Sequence, residues 1–242
     1  MKPEIAVGAR ADVLGRIRQA LHLGSTEPIE DDVVAQAWAA VPREYRQVAS
    51  RDRDAVLALF EDRLRDYDAH VERCQPPDLP AVVERLLALR GSPRMLVPAG
   101  LPAEWLPSSL VFTSAAGLGT SALDDFDGVV TGATLAIAET GTLVLQSVPG
   151  QGPRSATLVP DYHLCLVHSR DIVETVPEAI RRLVPTATLP TTFVSGPSAT
   201  ADIEMTRIKG VHGPRFLDVV LLDDLGKLDL ATGRNPLMSD LK

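Results

Sequence analysis

The sequence predicts an α/β fold in which helices cover a largely parallel β-sheet. Short runs of consecutive apolar residues recur between about residues 95 and 222, as expected of strands that are covered on both faces. A capping-box pattern, Thr175 followed by Glu178, places a helix among these runs. Strands that alternate with helices indicate a sheet packed against helices, and a largely parallel sheet is the simplest form.

Length and composition are typical of one main domain with a small extension. The chain has 242 residues, of which 45% are hydrophobic, enough for one sizeable core without disulfides. Cys74 and Cys165 lie far apart beside apolar residues, which indicates reduced thiols. A net charge of −8 and few aromatic residues argue against a nucleic-acid surface. Because no secretory signal or membrane-length apolar run is found, we expect a cytoplasmic protein without membrane contact.

Two helices are predicted within residues 1–48, which we interpret as an N-terminal helical extension to a domain over 49–242. Two apolar stripes at helical spacing support them: Val13, Ile17 and Leu21 form one, and Val34, Ala37 and Trp38 form the other. The stripes pack either on the core of the chain or in a groove of another subunit. The sequence leaves both interpretations open.

Two more helices precede the main series of strands. The first spans about 52–66, and Ser50 or Asp52 can accept the free amides at its start. The second spans about 79–90, with His70–Cys74 between the two as a possible short strand. The residues favoured at a helix cap, first turn and exit stand at the matching positions of the second helix: Asp78, Pro80 and Gly91.

The strands of the sheet are predicted from apolar runs after Gly91. They cover residues 95–97, 110–112, 129–131, 143–145, 164–167, 192–194 and 219–222. In open α/β sheets, ligands collect where strands end and loops turn, so glycine-bearing turns beside these strands are the places to search for a site. Three such loops are found.

The first loop runs over residues 131–142, from one strand through a turn of small residues into the next strand. Glu139 is its only charged residue, and Thr140 and Gly141 follow it. Small residues let a ligand approach closely. A carboxylate there is a candidate base, nucleophile or hydrogen-bond acceptor. The alternative is that Glu139 holds amides of its own turn or points to water.

The second loop, residues 195–204, leaves the strand that ends near Val194. Ser198 and Thr200 are good N-caps, which predicts a short helix whose free amides attract an anion. Acidic residues in that first turn weaken the case for phosphate, and helix capping alone is the alternative. The candidate binding residues of this loop are Ser195, Gly196, Ser198, Asp202 and Glu204.

The third loop, residues 209–215, places His212 between Gly210 and Gly213. An imidazole there can move a proton near neutral pH or donate to a carboxylate. Basic side chains suited to gripping an anion surround it: Arg207, Lys209 and Arg215. The alternative is a turn whose basic residues are solvated. Three acidic residues at 124, 125 and 127 lack the spacing of a calcium loop, so we expect no metal site.

Read together, the three loops resemble the LUD domain of the lactate-utilisation protein C family. Residues 136–142 read AIAETGT, 195–198 read SGPS and lead to ADIE at 201–204, and 210–214 read GVHGP. Their order and spacing match the family as well as their letters. The resemblance is dense from about residue 125, recognisable from about 50 and thin over the first 48.

This resemblance implies a fold and a pathway. The fold is a three-layer sandwich similar to glucosamine-phosphate deaminases, ribose-phosphate isomerases and coenzyme A transferases, the NagB/RpiA/CoA-transferase-like fold. The pathway is the oxidation of L-lactate to pyruvate by three cytoplasmic proteins, two of which carry iron–sulfur clusters. This chain has no Cys-x-x-Cys set, which fits the member without a cofactor of its own.

The three loops together give one set of candidate site residues. Glu139 and His212 are the candidate catalytic residues, and the candidate substrate-binding residues are Thr140, Gly141, Ser195, Gly196, Ser198, Asp202, Glu204, Lys209, Gly213 and Arg215. Two rival readings stay open. One is a coenzyme A transferase-like or sugar-phosphate isomerase-like enzyme that uses Glu139, and the other is a ligand-binding module without chemistry.

Overall fold

A computed structural model describes residues 7–20, 31–91, 93–200, 208–210 and 212–224. The chain separates into two compact units, Met1–Tyr45 and Arg46–Lys242. The first unit contains helices α1 (Val7–Ala20) and α2 (Asp31–Ala40). The side chains of Val13, Ile17, Val34 and Trp38, from the predicted apolar stripes, are exposed to solvent. Leu21 lies outside the described residues.

The second unit contains the helices and strands of an α/β fold. Its helices are α3 (Arg53–Asp66), α4 (Leu79–Leu89), α5 (Thr120–Leu123) and α6 (Val176–Leu183). Its strands are β1 (His70–Cys74), β2 (Met95–Val97), β3 (Phe112–Ser114), β4 (Gly128–Gly132), β5 (Leu135–Ile137), β6 (Thr142–Gln146), β7 (Tyr162–His168), β8 (Ile172–Val173), β9 (Thr191–Val194), β10 (Ala199–Thr200), β11 (Ile208–Lys209) and β12 (Phe216–Leu222). Within the described ranges, no helix is long and apolar enough to cross a lipid bilayer.

A parallel sheet of six strands is the centre of this unit, in the order β1-β12-β7-β4-β2-β3. Every pairing in it is parallel, and β12 is matched along its whole length with β7, from Phe216 opposite Tyr162 to Leu222 opposite His168. A second sheet has the order β8-β5-β6-β9, in which β6 is antiparallel to both neighbours. The short strands β10 and β11 form an antiparallel pair.

Apolar side chains cover the central sheet on both faces. Helix α4 packs on one face through a cluster that includes Leu79, Val83 and Leu164. Helix α3 and the second sheet pack on the other face, where Phe60 and Cys165 belong to one buried cluster. Helix α6 covers the outer face of the second sheet. The predicted α/β sandwich with a largely parallel sheet is therefore confirmed.

Helix ends follow the local sequence in most places. The Asp52 carboxylate accepts a hydrogen bond from the Ala55 amide at 2.8 Å, as predicted for the start of α3. Thr175 and Glu178 form both halves of the predicted capping box of α6. Asp78 stands at the N-cap position of α4, as predicted, but its backbone is already helical after a 3-10 turn and its side chain makes no capping hydrogen bond.

Three local predictions need correction. The first loop is not a simple turn, since β5 lies within it and is fully buried. A helix that starts directly after Ser198 is not found, because Ala199–Thr200 is strand β10, in which Ala199 pairs with Lys209 and Thr200 with Ile208. A helix capped by Thr200 would lie outside the described residues. The strand predicted at 110–112 lies two residues later, at Phe112–Ser114, where it pairs with β2.

Candidate functional site

A hollow of about 260 Å³ lies where the two main sheets meet. Its described lining comes from four parts of the second unit: the turn before β7, β7 itself, β9 with the segment after it, and the segment around the start of β12. The lining residues are Arg154, Thr157, His163, Phe193, Val194, Ser195, Gly196, Pro197, Ser198, Ala199, His212, Gly213, Pro214 and Leu217. The hollow thus contains residues of the second and third predicted loops.

Backbone hydrogen bonds hold these two loops side by side. The Ser198 amide donates to the Pro214 carbonyl at 2.8 Å, and the Gly210 amide donates to the Ser198 carbonyl at 2.9 Å. The Ser198 hydroxyl accepts from the His212 amide at 3.2 Å. Together with the β10–β11 pair, these bonds place the exposed His212 ring beside the serine loop.

Gly196 is required by the shape of its turn. Its φ is +82°, a conformation that side chains disfavour, and a Cβ there would lie 2.5 Å from the Tyr67 Cβ. Ser195, the preceding residue, is anchored by its hydroxyl, which lies 2.7 Å from the Thr142 hydroxyl. The turn therefore fixes the serine at the mouth of the hollow.

Two groups on the floor of the hollow set its electrostatics. Arg154 donates from Nη1 to the carbonyl and the hydroxyl of Thr157, both at 3.2 Å. The His163 ring is buried, and its Nε2 lies 2.7 Å from the Thr131 hydroxyl. Burial, followed by the charge of Arg154, lowers the pKa of His163 to about 4, so this imidazole is neutral at physiological pH.

The first predicted loop is connected to the hollow but does not line it within the described residues. The Glu139 carboxylate forms an ion pair with Arg46, and the Glu139 amide donates to the Glu174 carbonyl at 3.0 Å. The Thr140 hydroxyl lies 2.7 Å from that of Thr142, which in turn contacts Ser195. A chain of hydroxyl groups thus runs from this loop to the edge of the hollow.

Arg46 also binds a second carboxylate, that of Glu174, whose side chain is wholly buried. Glu174 further accepts from the amides of Ser50 and Arg51, at 2.7 and 2.9 Å, and from the Arg51 guanidinium at 2.6 Å. Burial alone would raise the pKa of Glu174, but these amides and guanidinium groups outweigh it and hold the pKa at about 2. Ion pairs and hydrogen bonds to Glu174, directly after β8, therefore hold residues 46–51 against the second sheet.

The other predicted site residues lie in separate places. Arg215 turns away from the hollow to pair with Asp161, with Nε 3.1 Å from the carboxylate. Gly141 has a φ of +57° and packs against Arg63 at the end of α3. Asp202, Glu204 and Arg207 lie outside the described residues, and so does the side chain of Lys209.

The structure therefore gathers one group of predicted residues and adds others. Ser195, Gly196, Ser198, His212 and Gly213 share the hollow. The sequence analysis missed a second group of residues that line the hollow or bind Glu139: Arg154, Thr157, Arg46 and Glu174. The glycines at 150 and 152, just before Pro153 and Arg154, were the available signal for the first two. No local pattern marks Arg46.

Comparisons with known proteins place the chain in a family. A lactate utilization protein C from Deinococcus radiodurans is 40% identical over 181 residues, which cover 74% of this chain and 84% of that relative. The chain belongs to the lactate-utilisation protein C family. The family model of the LUD domain matches residues 119–222.

Two further matches support the membership. A lactate utilization protein C from Shouchella clausii is 38% identical over 100 residues, 39% of this chain and 43% of that relative. A crystal structure of a DUF162 family protein from Deinococcus radiodurans matches with a TM-score of 0.63 at 34% identity, covering 72% of this chain and 100% of the other. In this member of the lactate-utilisation protein C family, every described residue that lines the hollow falls inside the LUD segment.

Proposed function

We propose that this chain is a component of a cytoplasmic system that oxidises L-lactate to pyruvate together with iron–sulfur partner proteins. Its own share is to bind a small carboxylate of that pathway in the hollow beside Ser195 and His212. The observation that carries the proposal is the coincidence of the hollow with residues 119–222, the LUD segment. The names of the two lactate utilization relatives support the pathway.

The cysteines support a division of labour with cluster-carrying partners. Burial raises the pKa of Cys74 to about 11 and that of Cys165 to about 12, so both remain thiols at neutral pH. Iron–sulfur clusters are held by sets of thiolates, whereas this chain has two cysteines, both protonated and neither in a Cys-x-x-Cys set. The residues of this chain do not fit a cluster of its own.

His212 supplies the proton-handling group in this proposal. Its ring is exposed at the hollow, while its backbone amide is fixed by Ser198. An imidazole can donate to a bound carboxylate or exchange a proton with a hydroxyl near neutral pH. Ser195 and Ser198 supply hydroxyl groups that can donate to a ligand oxygen or accept from a ligand hydroxyl.

Growth on defined carbon sources tests the role in the pathway. A strain that lacks the gene should fail to grow on L-lactate and should grow normally on pyruvate, the product of the oxidation. Tagged protein expressed from the chromosome should co-purify with proteins that carry iron and acid-labile sulfide. Normal growth on L-lactate, in a strain without another lactate-oxidising enzyme, would remove the proposal.

Complementation of that strain tests the hollow. His212→Gln should fail to restore growth on L-lactate, because glutamine cannot take up a proton, while the loop keeps its backbone bond to Ser198. His70→Gln is the matched control, since His70 is an exposed residue of β1 that contacts Glu72 and lies apart from the hollow lining. Full growth with His212→Gln would separate the imidazole from the function.

The Glu139 carboxylate is better suited to holding structure than to acting as a nucleophile. It forms an ion pair with Arg46 and does not line the hollow within the described residues, so it is not placed to attack a ligand bound there. Glu139→Gln should therefore restore growth in the same complementation. Loss of growth with Glu139→Gln, in a protein that still folds, would favour the transferase-like reading.

A further inference from the structure

The hollow has an uneven charge. Among its described lining residues, Arg154 is the one arginine, and none is an aspartate or glutamate. The chain as a whole carries a net charge of −8, so a local excess of positive charge is unusual for it. Of the basic residues that the sequence places near His212, Arg215 forms an ion pair with Asp161. Among the described residues, Arg154 is thus the cation that lines this space.

The guanidinium of Arg154 is oriented by its own turn. Its Nη1 is held by the carbonyl and hydroxyl of Thr157, and the Thr157 hydroxyl donates back to the Arg154 carbonyl at 3.2 Å. Nε and Nη2 make no hydrogen bond to the described part of the chain. These two groups form one edge of the guanidinium, whose parallel N–H bonds match the two oxygens of a carboxylate.

The size and remaining polar groups of the hollow restrict the anion. A volume of about 260 Å³ is below the range of sites for drug-sized ligands, so it suits a small molecule. The hydroxyls of Ser195 and Ser198 and the neutral ring of His163 can pair with a hydroxyl group of the ligand. The single positive charge among the described lining residues matches the charge of a monoanion better than that of a phosphate dianion.

We propose that Arg154 binds the carboxylate of a small 2-hydroxy acid through its Nε and Nη2 edge, with the ligand hydroxyl turned toward the serine and imidazole groups. This assignment rests on the proposed function, because it names the ligand class of the same hollow. It gives the carboxylate-binding role to Arg154 rather than to Arg215, which pairs with Asp161.

Ligand titration of the full-length protein tests the assignment. The probes are L-lactate, propionate, which lacks the hydroxyl, and inorganic phosphate; the readouts are calorimetry and the amide signals of Gly196 and Gly213. Wild-type protein should bind L-lactate more tightly than either other probe. Arg154→Gln should weaken L-lactate binding about tenfold or more, since it removes a charge-assisted two-pronged contact.

Two further variants control for charge and folding. Arg94→Gln removes the same charge from an exposed arginine that pairs with Asp127 outside the hollow lining, and it should leave binding within about twofold of wild type. Arg154→Lys keeps the charge but loses the two-pronged edge, so it should bind more weakly than wild type and more tightly than Arg154→Gln. If Arg154→Gln does not fold, L-lactate binding by Arg154→Lys is the test of the assignment.

Specific outcomes would overturn the assignment. One is unchanged L-lactate binding in Arg154→Gln or, if that variant does not fold, in Arg154→Lys. Another is wild-type protein that binds phosphate more tightly than L-lactate, or propionate as tightly as L-lactate. The last is no shift of the Gly196 and Gly213 amide signals with any probe. If the deletion strain fails on L-lactate while the purified protein binds none of the probes, the pathway role stands and this assignment fails. If the protein binds L-lactate through Arg154 while the deletion strain grows normally, the assignment stands and the pathway role fails.

Discussion

Glu174 is a fully buried carboxylate whose described donors all come from one short segment, residues 46–51. A buried charge is tolerated only when it is paired and hydrogen-bonded, because desolvation otherwise costs several kcal/mol, on the order of 3–5 when one partner is removed. Here two guanidinium groups and two amides meet that condition. The carboxylate therefore determines where the segment that carries Arg46 lies relative to the second sheet.

Stability should depend on pH through this residue. Its pKa falls from the ordinary 4.5 to about 2 in the folded protein, so its ionised form stabilises the fold above pH 4.5. That contribution is lost as the pH falls from 4.5 toward 2. Glu174→Gln should lower the free energy of unfolding by about 3 kcal/mol at pH 7, and the deficit should shrink toward pH 2. Urea unfolding at pH 7, 4 and 3 measures both.

An exposed glutamate supplies the control for that experiment. Glu104 lies on the surface in a short 3-10 turn, so Glu104→Gln should change the free energy of unfolding by less than about 0.5 kcal/mol. A Glu174→Gln protein that is as stable as wild type at pH 7 would show that the buried carboxylate contributes nothing.

Some of the residues that line the hollow could be predicted from the sequence. Glycines on either side of His212 and after Ser195 mark turns that expose their neighbours, and those residues do line the hollow. Arg154 and Arg46 were missed for a physical reason. Their role depends on the groups that the fold places beside them. Arg46, for example, pairs with Glu139, which is far from it in the sequence.

At the scale of elements, length decided which strands the sequence revealed. Strands β7 and β12 have seven residues each, nearly all buried, and each contains four consecutive apolar residues, 164–167 and 219–222, so those apolar runs identified them. Strands β8, β10 and β11 have two residues each and carry no pattern of their own. Strand β10 occupies the two residues directly after Ser198, where the serine cap predicted the first turn of a helix, because pairing with β11 overrides that local preference.

The turn after β9 depends on one glycine. Gly196→Ala would force a side chain into a left-handed conformation and into the Tyr67 side chain, so it should lower the free energy of unfolding by about 3 kcal/mol. Gly91→Ala is the matched control, since Gly91 has the same φ of +82° with no atom within 4 Å of the added Cβ. Gly91→Ala should lower the free energy of unfolding by about 1 kcal/mol. Chemical denaturation measures the free energy of unfolding of both variants. Equal decreases would mean that the Tyr67 side chain moves aside without destabilising the protein.

For the whole molecule, the α/β unit holds the described apolar clusters by itself. Each cluster is built from residues at 56 or later, on the two faces of the central sheet and the outer face of the second sheet. The fold class was accessible from sequence because consecutive apolar strands need cover on both sides. The order of strands was not, since pairing such as β1 with β12 joins the two ends of the unit.

The start of this unit can be located by truncation. The sequence predicts a domain over 49–242, and the compact unit is Arg46–Lys242. A protein of residues 46–242 keeps Arg46 and its ion pairs with Glu139 and Glu174, and a protein of 49–242 loses both. We expect the shorter protein to unfold with a free energy lower by about 2 kcal/mol, the usual contribution of hydrogen bonds to charged groups.

Arg46→Gln in the 46–242 protein separates the loss of the side chain from the effect of cutting the chain. Because it removes the same guanidinium, its free energy of unfolding in urea should match that of an amino-terminally acetylated 49–242 protein, and both should fall below that of 46–242. Equal stability of all three would mean that the Ser50 and Arg51 amides and the Arg51 guanidinium hold Glu174 without Arg46. If only the 49–242 protein has a lower free energy of unfolding, the loss comes from removing Gln47, whose carbonyl accepts a hydrogen bond from Arg181, or Val48.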